Sequence, residues 1–294
     1  MSVVHAQPVE ELVRRAVLKY NEKDYRGAAS EIDEAVQLKK GETDERAWHI
    51  RGFVYKDIYV KEENRARTSE AREVSVFSLQ RSVELDKEGV LDKNNKGALA
   101  VLAASYYNDA SDIIEERNPE NLHEAEEYYA RYRDITAFLQ PDSSLVSKDI
   151  DIHLAMATAH RKIYESNREK NEAHYELSNE QYSKVLDLDP ENWPALYSVG
   201  VALYNKGAYN LERLPELEIH DVIKTEGESI RSIQSALPFM TRAYEVNPER
   251  IEGVKGLKYI HFNLHDEEQH EYFNEKLEEM EKNLDSSEKK IKKK

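Results

Sequence analysis

The chain contains no cysteine, so disulfide staples, thiol catalysis and cysteine-held zinc are all excluded. Glycine and proline are scarce, with 10 and 8 in 294 residues. A β-sandwich or barrel needs a turn signal every ~8–12 residues, and so few turn formers cannot supply it. Apolar runs are short, none near the ~18 residues of a membrane span. Positive charge is in deficit, 42 Lys and Arg against 58 Asp and Glu, for a formal net charge of −16. Such a chain is a poor match for nucleic acid or an anionic membrane surface. The opening segment, MSVVHAQ, has neither the basic nor the apolar region of an export signal. As encoded the protein is expected in the cytoplasm, whereas an upstream start codon would redirect it to export.

What remains is 39% apolar, 34% charged and rich in tyrosine, with 18. That is too apolar for disorder and thin for a thick globular core. Long elements that each bury one face fit the balance, and the helix is the element of choice. Around 187–209 the pattern becomes specific. Pro190 follows an apolar helix carrying Tyr182, Val185 and Leu186, and ends it because proline lacks the next backbone N–H. A second helix starts near Trp193-Pro194, since proline is tolerated in a first turn. Leu196, Val199, Gly200, Leu203 and Tyr204 then recur at helical spacing. A glycine in mid-helix costs about 1 kcal/mol against alanine, so Gly200 predicts a neighbouring helix pressed against it. Lys206-Gly207-Ala208-Tyr209 reads as the following turn.

The same motifs return along the chain. Trp48, Gly52 and Tyr55 keep a W-x3-G-x2-Y spacing, with Arg51 before the glycine. Asp24-Tyr25, Ala28, Ile32 and Ala35 mark a second helix, and Ala125 with Tyr129 and Ala236 with Met240 repeat an A-x3-large spacing. Pro248 closes a helix as Pro190 does. The pattern resembles the tetratricopeptide repeat family, with a period of ~34 residues. The resemblance implies an all-α fold, a right-handed superhelical solenoid of about six antiparallel helix pairs. The pairs fall near 9–40, 44–87, 94–140, 147–189, 193–247 and 251–284. Residues 9–284 form the repeat domain, and the lysine-rich 285–294 is expected to be a disordered tail. Pro190 and Pro248 lie too far apart for one period, so an insertion is expected within 210–229, and another around 61–69. The first reads as a surface loop with one helical turn, with a lid or docking segment as its functional alternative.

In this family the ends of the first helices tend to line a groove. There the chain repeats an aromatic followed by asparagine: Tyr20-Asn21, Tyr107-Asn108, Tyr204-Asn205 and Phe262-Asn263. Such pairs offer stacking surface and amides able to bond an extended backbone in either sense. They are the candidate peptide-binding residues, although the aromatic also serves the family as a packing residue. The Lys-Asn-Arg set by which some members clamp acidic chaperone tails has no counterpart, Lys255 being the single basic residue at the matching positions. His261 and His265, with Asp266 beyond, have metal-ligand spacing but no accompanying signature. The expectation is a protein-interaction scaffold for a peptide or partner helix, not an enzyme, with no metal or other cofactor. Nucleic-acid binding and membrane insertion are not expected, and monomer and homodimer stay open. An oligomerisation subunit using the outer face is the alternative, with Tyr128, Tyr132 and Phe138 as its exposed stripe.

Overall fold

The computed structural model of the protein describes the backbone of residues 9–291 and the side chains of residues 9–283. Among the described residues every regular element is helical. The chain divides into two compact units, 1–144 and 145–294.

The first unit holds α1 (Val9–Asn21), α2 (Tyr25–Gln37), α3 (Glu45–Asp57), α4 (Glu70–Leu85), α5 (Asp92–Glu116) and α6 (Glu124–Leu139). They pack as α1 with α2, α3 with α4 and α5 with α6, and successive pairs meet through α2–α3 and α4–α5. Local sequence sets the starts. Asp24 accepts from the Gly27 N–H, Asp44 from Arg46 and Ala47, and Ser69 from Arg72. Each side chain thereby satisfies an amide that the first helical turn leaves unpaired. α3 runs on into a π-helical turn, Ile58–Glu62, and the chain then reverses through left-handed Asn64 and Arg65. The extra residues expected around 61–69 therefore form this turn and the loop into α4. They are anchored by Arg26, which bonds Glu62 and Glu63 at 2.8 Å each.

The second unit holds α7 (Val146–Ser166), α8 (Ala173–Leu188), α9 (Trp193–Glu212), α10 (Ile219–Val246), α11 (Ile251–Asn263) and α12 (Glu267–Ile291). Pairing again follows chain order, with α8–α9 and α10–α11 joining neighbours. Pro190 and Pro248 stand in the turns after α8 and α10, as their chemistry requires. Asn192 caps α9, and Pro194 sits in its first turn. The expected six pairs are all present, with boundaries close to those read from the sequence. The side chains of the tail at 285–294, and Lys292 to Lys294 altogether, lie outside the described residues.

Two glycines record how closely α9 and α10 approach. A Cβ on Gly200 would lie 3.0 Å from the Met240 methyl, so a neighbouring helix does press on it. A Cβ on Gly207 would lie 2.6 Å from the Ser229 carbonyl oxygen, which no L side chain tolerates. Gly207 is thus a contact residue inside α9, not the turn expected at 206–209. The expected loop at 210–229 is likewise corrected. The inserted residues lengthen α9 to Glu212 and start α10 at Ile219, with a short 3-10 turn, Leu214–Glu216, between them.

Candidate interaction surface

In both units the first helix of a pair touches the first helix of the next, α1 against α3 and α9 against α11. Tyr20-Asn21 and Phe262-Asn263 fall in the last turns of α1 and α11. Tyr107-Asn108 and Tyr204-Asn205, expected at helix ends, lie about two turns inside α5 and α9, because those helices run on to Glu116 and Glu212. The contacts between first helices repeat. The Tyr20 hydroxyl donates to Asp57 Oδ2 at 2.7 Å. In the second unit the Asn263 amide donates to the Tyr204 hydroxyl oxygen at 3.1 Å, and to the Tyr259 carbonyl at 3.0 Å. In each case the aromatic of one pair is tied to the Asn or Asp that ends the next first helix. Asp57 stands where the other pairs have asparagine and is held from its own helix by Lys56 at 2.8 Å. Burial, then the Asp57 carboxylate, holds the Tyr20 phenol well above its ordinary range. Burial does the same, less strongly, for Tyr204.

The remaining candidates are placed differently. Tyr107 turns toward its own pair, 5.1 Å from the Tyr132 ring and 6.3 Å from that of Tyr129. Phe262 stays 60% exposed, with its ring 5.3 Å from His270 on α12. Asn21 is exposed at the end of α1, and Asn108 is exposed on the side of α5. Asn205 is half-buried and borders a small cavity with Arg161, Arg168 and Lys206. The ladder read from sequence therefore divides three ways, with Tyr107 packing inside its own pair. Tyr20, Tyr204 and Asn263 bind neighbouring pairs together; Asn21, Asn108, Asn205 and Phe262 face outward or line a cavity.

The first unit carries two depressions that sequence reading missed. One, of about 620 Å³, lies among Val17, Arg46, His49, Ile50 and Leu91, with His49 Nδ1 bonded to Asn95 at 2.7 Å. The other, of about 690 Å³, has Trp48, Arg51 and Phe77 in its wall. Its charges are satisfied internally. Asp33 accepts from Arg51 at 2.7 Å and from the Tyr55 hydroxyl at 2.6 Å. Burial, then Asp33, pushes the Tyr55 phenol up to about 12. Phe77, apolar and exposed on a mostly polar helix face, is the signal that would have pointed there.

Of the histidines with metal-ligand spacing, His261 serves packing and His265 is exposed in the left-handed turn after α11. His261 is buried, lies parallel to the Phe273 ring at 5.7 Å, and bonds Asp266 at 3.1 Å. No cluster of three or more potential metal ligands occurs among the described residues. Nor is any helix there long and apolar enough to cross a membrane. Tyr128, Tyr132 and Phe138, expected as an exposed outer stripe, are half-buried and packed on the core of the first unit.

Antiparallel pairs in chain order, first helices in mutual contact and glycine-seated second helices together decide the architecture. The fold is tetratricopeptide-like. No family model matches the chain, and no curated protein matches it. Among solved structures it is similar to a TPR repeats protein from Bacteroides fragilis, at 17% identity over 86% of this chain and 97% of that one, with a TM-score of 0.45. It is also similar to the TPR2AB-domain:pHSP90 complex of yeast Sti1, at 15% identity over 97% and 96%, with a TM-score of 0.31. Both superpose loosely, so the tetratricopeptide-like assignment rests on the packing of this chain itself.

Proposed function

We propose that the protein is an interaction scaffold, binding an extended peptide or a partner helix along the edges formed by its first helices. Binding, and not catalysis, is its work. The observation that carries the reading is the repeated tie between neighbouring first helices, Tyr20 to Asp57 and Asn263 to Tyr204. These bonds hold neighbouring first helices in register before any ligand arrives, which lowers the ordering cost of binding. In the first unit Asn21, next to Tyr20, and Asn108 present amide donors and acceptors to solvent; in the second, Phe262, next to Asn263, presents an open ring. An extended backbone needs alternating donors and acceptors of that kind, with apolar surface between them.

The test is selection of a peptide from a displayed random library against the full chain, followed by titration of the synthetic peptide. Replacing Asn21, Asn108 and Asn205 together by Ala should weaken the selected peptide about tenfold or more. Circular dichroism should be unchanged, because the two ties remain. Equal affinity for the triple variant, with the fold intact, would remove the first-helix edges as the binding surface.

A further inference from the structure

The lengthened α9–α10 hairpin carries a feature that the first-helix surface does not use. Ile219 is 85% exposed and Ile223 is 79% exposed, the two highest values of any large apolar side chain among the described residues. They are four apart on α10, so they stand about 40° from one another around the helix. The buried face of α10 runs through Ser229, Ile233, Ala236, Met240 and Ala243. The same helical arithmetic puts the two isoleucines about 100° to one side of that face. They are a separate apolar stripe, not an unfilled end of the core.

The surroundings of the stripe are acidic. Between 210 and 230 the chain has six carboxylates and two cations, Arg213 and Lys224. Arg213 is already engaged, by Glu216 at 3.3 Å and Glu169 at 3.5 Å. His220 lies against Asp221 at 3.2 Å. Glu212, Glu218, Glu226 and Glu228 have no cation at ion-pair distance among the described residues. Glu226 falls on the same side of α10 as Ile223, one turn further along.

We infer that the α10 tip is a docking surface for a basic amphipathic helix of a partner protein. Aliphatic residues one turn apart on that helix cover Ile219 and Ile223, and flanking Lys or Arg side chains meet the unpaired glutamates. An apolar centre desolvated inside a charged rim is the ordinary anatomy of a protein interface. Complementary rim charge sets the rate of encounter and the salt dependence more than the final affinity. The charge also selects the occupant. A second copy of the chain docking by the same patch would set glutamate against glutamate, and a nucleic acid or anionic membrane would be repelled likewise. An interface built on two isoleucines belongs with the small, transient class.

The test uses the full chain and a labelled synthetic peptide of about 18 residues, long enough to hold a helix in water. Its leucines are spaced at i and i+4 and flanked by lysines. A scrambled peptide of the same composition and a version with Glu for Lys are the controls. Fluorescence anisotropy should show saturable binding of the first peptide alone. Ile219→Ser with Ile223→Ser should weaken it about tenfold or more. Glu218→Gln with Glu226→Gln should weaken it severalfold and flatten its dependence on salt. All four side chains are exposed, so both variants should keep the parent circular dichroism. The inference is overturned if no saturable binding occurs, if the scrambled peptide binds as well, or if the isoleucine variant binds unchanged. Sedimentation showing that these isoleucines hold two copies of the chain together would also overturn it. None of these results bears on the asparagine edges of the first helices, which the library-selected peptide tests separately.

Discussion

In the first unit, the side chain around which α4, α5 and α6 close is an arginine; in the second, the one between α9, α10 and α11 is a methionine. Arg72 is 1% exposed. Its guanidinium donates to Asp109 at 2.5 Å, Ser105 at 3.3 Å and the Arg67 carbonyl at 2.7 Å. Tyr106, Tyr59 and Tyr128 surround it, with ring centroids at 3.8, 5.2 and 5.6 Å. Burial opposes its charge, but Asp109, with Tyr106 and Tyr59 adding, prevails, so its pKa stays raised. Met240, by contrast, reaches Gly200 on one side and Gly256 on the other. A guanidinium fork fixes directions and must be paired; a thioether adapts to whatever gap it meets. The lengthened hairpin sits in the unit with the adaptable centre. The first unit is built to hold one geometry, and the second accommodates added helical turns.

The sharpest way to break this comparison is to remove the arginine. Arg72→Ala leaves largely buried Asp109 with only the more distant Arg67, at 3.9 Å, and should destabilise the first unit by about 3 kcal/mol. Changing Asp109 to Leu together with Arg72 to Met should recover most of that, because a packed apolar pair replaces a buried ionic one with little loss. Denaturant unfolding reads both, and a harmless Arg72→Ala would refute the ionic centre. Next in size is Gly207→Ala, whose methyl meets backbone and should cost about 1–3 kcal/mol. Gly200→Ala meets chiefly the flexible end of Met240 and should cost less. If the two glycines proved equal, adaptability would not describe the second unit.

Smaller effects separate the two ties. Tyr20→Phe loses a bond to a carboxylate, about 1.5 kcal/mol or more, whereas Tyr204→Phe loses a neutral one, about 1 kcal/mol. Hydrogen exchange around Tyr20 in α1 and around Tyr204 in α9 should rise in that order. The smallest effect is pH-dependent and belongs to the second unit alone. His160 and His174 face each other, Nδ1 to Nδ1, at 2.8 Å. Burial holds the His174 pKa below its ordinary value. An unfolded histidine, near 6.5, then binds more protons than the folded one, so stability is present above that pH and is lost as pH falls below it. His174→Gln should flatten the fall in unfolding midpoint between pH 7 and pH 5; an unchanged slope would assign it to other groups.

Much of this architecture was legible because helix ends and helix contacts leave local marks. Pro190, Pro248, Asp24 and Pro194 act on their own backbone neighbours, so spacing alone locates them. Gly200 was legible as a contact because a glycine in mid-helix has a cost that only a neighbour explains. Gly207 was misread for the converse reason. Beside Lys206, Ala208 and Tyr209 it looks like a turn, and the Ser229 carbonyl that demands it lies 22 positions away in the chain. Arg72 was invisible to hydropathy, which puts arginine outside. The mark it leaves is a set of tyrosines and one aspartate, Tyr59, Tyr106, Asp109 and Tyr128, that no local pattern connects. The aromatic–asparagine ladder was seen, but its partition between ties and outward amides depends on side-chain direction, which spacing does not carry.

The long hairpin has a mechanical side. At 1.5 Å per residue, the 28 residues of α10 span about 42 Å, against about 20 Å for the 13 of α11. Anything pulling on Ile219 and Ile223 therefore works on an arm braced first at Ser229 by Gly207 of α9, and seated further on at Met240 between its two glycines. Pro238 lies in the same helix just before that seat. It removes one backbone bond from the rod, at a point where buried Ala236 and Met240 on either side hold the helix.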